Sequence, residues 1–289
     1  MPTERQTRAT FNRLKRFYDA SWDPKRKTLH VGLFRQADDS LQRAYANATS
    51  YLLELVNEQR RITAQSVVLD VGCGTGQTLL DLCARVGCRG VGLDLSDAQV
   101  SHARADLRAR NALRVKRNLP KLRCTFIRGS ASVLTRHVGA RPEFTHVISQ
   151  DALFLAANKQ RAFQGIATVL VPGGVVGIAD FLQQASAARY SSPARRAIFK
   201  VVNWQEGLSF ERYQRALRTV GLDVVHAEQR DRDMIKTYTL LVRQLAAFID
   251  RHPTYRTLRE RYQSIVAAVR AGKMGWALCI ARKPLTARQ

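Results

Sequence analysis

No stretch of this chain stays apolar for the roughly 18 residues that a membrane helix needs. No charged, apolar and small-residue succession of a secretory signal opens it either. Membrane-spanning and secreted classes are set aside, and the cytoplasm is the expected location. The arginine-rich start has Glu4 as its only acid before Asp19, a composition that a mitochondrial presequence shares. Against that, Phe11, Leu14, Phe17 and Tyr18 fall on one helical face and read as part of the folded domain. Cysteine is scarce: Cys73, Cys83, Cys88, Cys124 and Cys279 contain no Cys-x-x-Cys pair, so neither a zinc site nor a redox pair is indicated, and no metal is expected. Acid is also short, with 23 Asp and Glu against 47 Lys and Arg and a net charge of +24. Such a surface attracts polyanions and permits nucleic acid, phosphorylated substrates and anionic membranes. The densest basic run, Arg104 to Arg123, reads as a solvated helix face and its exit loop. Internal repeats and low-complexity segments are lacking. With 289 residues and 45% hydrophobic residues, the chain suits one α/β domain with additions, or two small domains.

What is present is concentrated in Val67-Val-Leu-Asp-Val-Gly-Cys-Gly-Thr-Gly76. Val67, Val68, Leu69 and Val71 predict a short buried strand. Gly72, Gly74 and Gly76 predict a turn with almost no side-chain bulk, into which the small Cys73 fits. Thr78-Leu-Leu-Asp-Leu82 opens a helix. A strand, a glycine turn and a helix N-terminus let a ligand approach the backbone closely. The spacing is Gly-x-Gly-x-Gly, and Gln77 stands where the dinucleotide fingerprint has its third glycine, which argues against NAD. Gly90-Val-Gly-Leu-Asp94 predicts a second strand ending in a carboxylate 18 residues past Gly76. That is close to the roughly 20-residue offset of an acid that accepts ribose hydroxyls, although a plain helix N-cap gives the same pattern. Ser96 and Gln99 have capping-box spacing.

Further strands are expected at Cys124–Arg128, His146–Ser149 and Val175–Ala179, alternating with helices at Thr78–Arg85, Asp97–Arg110 and around Lys159–Leu170. That alternation predicts an α/β, doubly wound, mostly parallel sheet. A long helix, Leu41–Glu58, precedes it, and Pro172-Gly-Gly174 is the turn into the fifth strand. After Asp180 the rhythm changes. Phe181–Leu208 lacks clean periodicity, then a helix (Ser209–Val220), a strand (Leu222–Glu228), a helical stretch broken near Pro253 (Met234–Arg270) and a last strand (Trp276–Ala281) follow.

The glycine turn, at this distance from Asp94, resembles the first motif of the class I methyltransferases that use S-adenosylmethionine (SAM). Four stretches resemble a narrower branch, the sarcosine/dimethylglycine N-methyltransferase-like enzymes that make glycine betaine and relatives such as tocopherol methyltransferases. They are Phe17-Tyr-Asp19 with Trp22 and Leu29-His-Val-Gly-Leu-Phe34; the glycine turn; Ser149-Gln-Asp-Ala-Leu153 with Val171-Pro-Gly-Gly174 and Ala179-Asp180; and Ala271-Gly-Lys-Met-Gly-Trp276. The resemblance implies a seven-stranded Rossmann-like sheet divided into an N-terminal helical lid (1–60), a SAM-binding α/β core (61–180) and a C-terminal part of the sheet with helical substrate-cap insertions (181–289). It implies that Gly72, Cys73, Gly74 and Gly76 hold the methionine and ribose parts of SAM. Asp70 would take its ammonium, Asp94 the ribose hydroxyls and Leu95 the adenine face. Gly129, Ser130 and Ala131 would flank adenine, with Gln150 beside the sulfonium. Tyr18, Trp22, His30, Phe34 and Leu155 would meet the substrate. Two departures stand out: many relatives have an acid where this chain has Ser130, and commonly a histidine near the transferred methyl where it has Leu155.

Methyl transfer from a sulfonium is an in-line displacement, so a protein chiefly aligns nucleophile, carbon and sulfur and excludes water. A neutral amine needs only to arrive deprotonated, whereas a phenol or acidic carbon needs a base. His30, Tyr18 and Asp151 are the catalytic candidates; a lid hydrogen bond, core packing and a helix N-cap are their respective structural alternatives. Trp22 suits an aromatic cage for a methylated ammonium as well as ordinary lid packing. His102, His137, His146, His226 and His252 read as structural. The expected function is a SAM-dependent transferase (EC 2.1.1 type) of a small-molecule acceptor, with an amine nitrogen favoured. An oxygen or carbon acceptor on a specialised metabolite is the alternative, motivated by Leu155. An RNA methyltransferase is permitted by the charge, but Ser149-Gln-Asp-Ala stands where an Asn-Pro-Pro-Tyr-type base-flipping motif belongs. A non-catalytic SAM-binding scaffold is opposed by the intact turn and Asp94. Oligomeric state is open.

Overall fold

The computed structural model describes residues 3–184 and 207–285. Its first helix, α1 (Glu4–Ser21), begins well before the apolar face that predicts it. Thr3 and Gln6 form a capping box, in which the Gln6 N–H donates to Thr3 Oγ1 and the Thr3 N–H to Gln6 Oε1. Ser40 caps α2 (Leu41–Gln59). The core runs β1 (Val67–Val71), α3 (Gln77–Val86), β2 (Arg89–Asp94), α4 (Asp97–Lys116), β3 (Cys124–Arg128), α5 (Leu134–Val138), β4 (Phe144–Gln150), α6 (Lys159–Val169) and β5 (Leu170–Gln183). It continues with α7 (Phe210–Thr219), β6 (Asp223–Gln229), α8 (Asp231–Leu245), α9 (Pro253–Arg270) and β7 (Met274–Arg282).

The seven strands form one sheet in the order β3-β2-β1-β4-β5-β7-β6. Only β7 runs antiparallel to its neighbours, β5 and β6. Helices cover both faces, as a parallel sheet of near-continuous apolar strands requires. Leu52 and Val56 of α2, Leu79 and Leu80 of α3 and Tyr262 of α9 pack in one core, Phe163 of α6 and Tyr213 of α7 in the other. Strand order reverses between β1 and β4, so a crevice opens beyond the carboxyl ends of these strands.

Among the boundaries that differ from the sequence expectation, three have a clear physical cause. Pro172-Gly173-Gly174 is an irregularity inside β5 rather than a turn before it: Phe144 pairs with Leu170, the ladder resumes at His146–Val175, and β7 then holds β5 in register as far as Gln183. Helix α4 continues past Arg110 to Lys116, because good helix formers run on with no glycine or proline before Pro120. Pro253 starts α9 behind a His252 cap instead of breaking a continuous helix. Of the aperiodic stretch after Asp180, residues 185–206 lie outside the described residues. Part of the basic run is tied into the fold: Arg104 donates to the Phe126 carbonyl at 2.8 Å, Arg110 pairs with Asp81 at 2.6 Å, and Arg123 donates to the carbonyls of Ala64 and Gly87. Among the described residues no helix is long and apolar enough to cross a membrane, and no group of three His, Cys, Asp or Glu could hold a metal ion.

Candidate active site

One cavity occupies the crevice, floored by the glycine turn and walled by the ends of β2, β3 and β4, by α1 and by residues 27–30. The turn is pinned to β2, since the Gly72 and Cys73 N–H groups both donate to the Leu93 carbonyl, at 2.7 and 3.0 Å. Gly72 has φ +82°, and a Cβ there would lie 2.1 Å from the Ala152 Cβ, so only glycine lets the loop after β4 close over the turn. Gly74 has φ +52° and nothing within 4 Å of where its Cβ would stand, and it faces the cavity.

Two carboxylates flank this floor. Asp94 Oδ2 accepts from the Gly74 N–H at 2.9 Å and Oδ1 from the Ser96 N–H at 2.8 Å. Ser96 caps α4, as its spacing predicts, so Asp94 is not that N-cap. Asp70 is 5% exposed, and its carboxylate takes part in no hydrogen bond among the described residues. Burial first, and Asp94 second, push its pKa up to about 7. A lone buried carboxylate with no donor costs free energy until a cation meets it.

At the inner end, His30 Nδ1–H donates to the Val31 carbonyl at 3.0 Å, which leaves Nε2 as an acceptor 3.2 Å from Thr49 Oγ1. Burial lowers the His30 pKa, so the imidazole is neutral. Thr49 Oγ1 also lies 3.2 Å from Gln150 Oε1, so two acceptors share one hydroxyl proton. Gln150 Nε2 is buried with no partner among the described residues. Asp151 follows with φ +50°, a conformation that its side chain anchors: Oδ2 accepts from the Val31 N–H and Oδ1 from Trp276 Nε1, both at 2.6 Å. It is therefore not a helix N-cap; Asn158 caps α6. Burial raises Asp151 to about 8.

Of the residues predicted for the site, Asp70, Gly72, Cys73, Gly74, Asp94, Leu95, Gly129, Ser130, Ala131, Gln150, His30, Asp151 and Leu155 line this one cavity. Gly76 is outside its lining and serves as the left-handed N-cap of α3. Tyr18, Trp22 and Phe34 are outside it as well. Tyr18 meets Trp22 edge-on, and burial pushes its hydroxyl up to about 12. Trp22 is buried against Tyr45, Tyr238 and Tyr262, and Phe34 lies under the Lys236 ammonium. No described residue after Ala156 lines the cavity. Glu4, Thr7, Arg8 and Phe11 do; the sequence marks only Phe11 of these, as part of an apolar helix face. Thr49 was also hidden, because its role depends on α2 packing over β5 and β7 so that this residue reaches the end of β4. Among the other histidines, His146 Nε2–H donates to the Arg60 carbonyl, and His252 caps α9.

Residues 68–174 match a family profile described as a methyltransferase domain. The sterol 24-C-methyltransferase erg6 of Schizosaccharomyces pombe is 32% identical over 165 residues, which are 57% of this chain and 39% of that protein. The chain is similar to that methyltransferase-domain family over residues 68–174. It thus spans about two fifths of the length of that yeast relative. The O-methyltransferase resE of Aspergillus sclerotiorum is 26% identical over 68% of this chain and 69% of its own. In fold, the chain matches a structure described as a sarcosine dimethylglycine methyltransferase from Galdieria sulphuraria, with a TM-score of 0.79, 20% identity and coverage of 94% and 98% of the two chains.

The residues present fit SAM. The open face of Gly74 is a cradle that any Cβ would fill, and the solitary carboxylate of Asp70 suits an ammonium.

Proposed function

We propose that this protein transfers a methyl group from SAM to a small-molecule acceptor, and that the acceptor atom is an amine nitrogen. The observation that carries the reading is the continuity of one cavity from the glycine turn and Asp94 to His30 and Gln150. Bound there, SAM supplies an electrophilic methyl on a sulfonium.

The chain's own contribution is alignment and exclusion of water. Asp70 would pair with the ammonium, and Asp94, held rigid by two N–H donors, would accept from the ribose. Helix α1 and residues 27–30 roof the cavity. Leu153 and Leu155 give the acceptor end an apolar wall, and Gln150 and the neutral His30 give it polar atoms. An amine N–H can donate to the Gln150 or His30 acceptor while its lone pair faces the methyl. The proton shed after transfer can pass to His30 Nε2, with Thr49 then donating to Gln150 Oε1.

A second reading, an oxygen or carbon acceptor, is favoured by the names of the curated relatives, a sterol C-methyltransferase and an O-methyltransferase. Incubation of the purified protein with SAM and a panel of amines, phenols and sterols, read by mass spectrometry, separates the two. Methyl gain on amines supports the first reading and gain confined to phenols or sterols the second. No gain on any acceptor, with no S-adenosylhomocysteine released, overturns both.

A further inference from the structure

The loop after β3, where many relatives of the resembled branch place an acid, has Ser130, and that hydroxyl is already committed. Ser130 Oγ donates to Glu4 Oε1 at 2.7 Å and accepts from the Ser132 N–H at 3.1 Å. Ser132 Oγ donates to the same Glu4 oxygen at 2.7 Å and accepts from the Asn158 N–H at 3.1 Å. The Ala157 N–H lies 3.5 Å from it as well. Glu4 thus reaches across 126 residues of sequence from the first turn of α1 into the loop that walls the cavity beside Leu95 and Ala131. Its second oxygen, Oε2, has no hydrogen bond among the described residues. The helix behind it is fixed at a second point, where Ser96 Oγ donates to Asn12 Oδ1 at 2.6 Å.

We propose that Glu4 is the specificity-determining acceptor for the exocyclic amine of the adenine ring, supplied by the lid helix in place of the acid that the β3 loop lacks. This rests on the cofactor assignment under Proposed function. An exocyclic amine is a donor and needs an acceptor. Both serine protons point to Glu4, and each serine oxygen already accepts from a backbone N–H, so the free carboxylate oxygen is the strongest acceptor at that wall. Because the acceptor sits on α1, adenine binding and closure of the lid become one event.

The test compares calorimetric binding of S-adenosylhomocysteine and S-inosylhomocysteine, in which a carbonyl oxygen replaces the amine, to wild type, Glu4→Gln and Glu4→Ala. Wild type should prefer the adenosyl ligand by about tenfold or more, as expected for a hydrogen bond to a charged group. Glu4→Ala should lose that preference, with most of its loss falling on the adenosyl ligand. Glu4→Gln should retain at most part of it. Hydrogen exchange over residues 4–12 should slow on adenosyl binding in wild type and much less in Glu4→Ala. If wild type binds both ligands equally, or Glu4→Ala weakens both by the same factor, Glu4 only fastens the helix and the proposal is wrong, while the cofactor assignment stands. Failure of wild type to bind either ligand overturns both.

Discussion

Replacing Asp70 by Asn removes the cavity carboxylate that has no donor among the described residues. The carboxyl stands at about 7 in the free protein, raised by burial and by Asp94. It is then about half ionised at pH 7 and about 3% ionised at pH 5.5, while an α-ammonium with a pKa near 8 remains charged across that window. If the ammonium binds only the ionised form, affinity for SAM should fall about sixteenfold from pH 7 to 5.5, with close to one proton released per ligand bound at the lower pH. Asp70→Asn loses a hydrogen bond to a charged group, about 1.5–3 kcal/mol, so its affinity at pH 7 should drop about 10- to 100-fold and its pH dependence should flatten. The same change removes a raised carboxyl. Without ligand, the variant should therefore melt higher than wild type at pH 8, the opposite direction to its loss of binding. Calorimetry at four pH values, with parallel melts, reads all of this. A wild-type affinity flat between pH 5.5 and 7, or an unchanged slope in Asp70→Asn, would refute the reasoning.

Gly72→Ala puts a Cβ 2.1 Å from that of Ala152 at φ +82°; the strain and overpacking should cost about 2–4 kcal/mol, seen as a lower urea midpoint at unchanged slope. Trp276→Phe removes the Nε1 donor at 2.6 Å from Asp151 and should destabilise the protein by about 2 kcal/mol and move that carboxyl above its present value near 8; titration followed by carboxyl-labelled NMR checks it. Thr49→Val cuts the link between His30 and Gln150, so turnover should fall about fivefold, the worth of one neutral hydrogen bond, with cofactor affinity unchanged. In the ligand-free protein, Asp70, Asp151 and Asp180, at about 7, 8 and 7, bind more protons folded than unfolded above pH 4. Stability should therefore rise as pH falls from 8 to 6.5, before the lowered histidines act against it, and thermal melts show the sign.

The parts of the site held by consecutive residues were legible in the sequence. Val67–Gly76 carries strand, carboxylate and turn within ten residues, Gly90–Asp94 carries a strand ending in a carboxylate, and β1 and β3 keep the bounds that the sequence predicts. What was hidden depends on elements far apart in the chain. Glu4 reaches Ser130 only because α1 lies across α4 and the β3 loop, and Thr49 reaches His30 and Gln150 only because α2 packs over β5 and β7. Tyr18 and Trp22 were expected beside the substrate, yet lie in an aromatic cluster with Tyr45, Tyr238 and Tyr262. An aromatic residue on a lid helix faces either way, and its period alone does not choose between cavity and core. Asp151 has the composition of an N-cap, but its left-handed backbone turns the carboxylate toward Val31 and Trp276 instead.

Calorimetric titration of SAM into the purified protein, beside Asp94→Ala shown folded by circular dichroism, tests the cofactor cavity most directly. The account predicts saturable one-to-one binding to wild type, competed by S-adenosylhomocysteine, and its loss in the variant. Absence of binding to wild type, or the same affinity in Asp94→Ala, would contradict it.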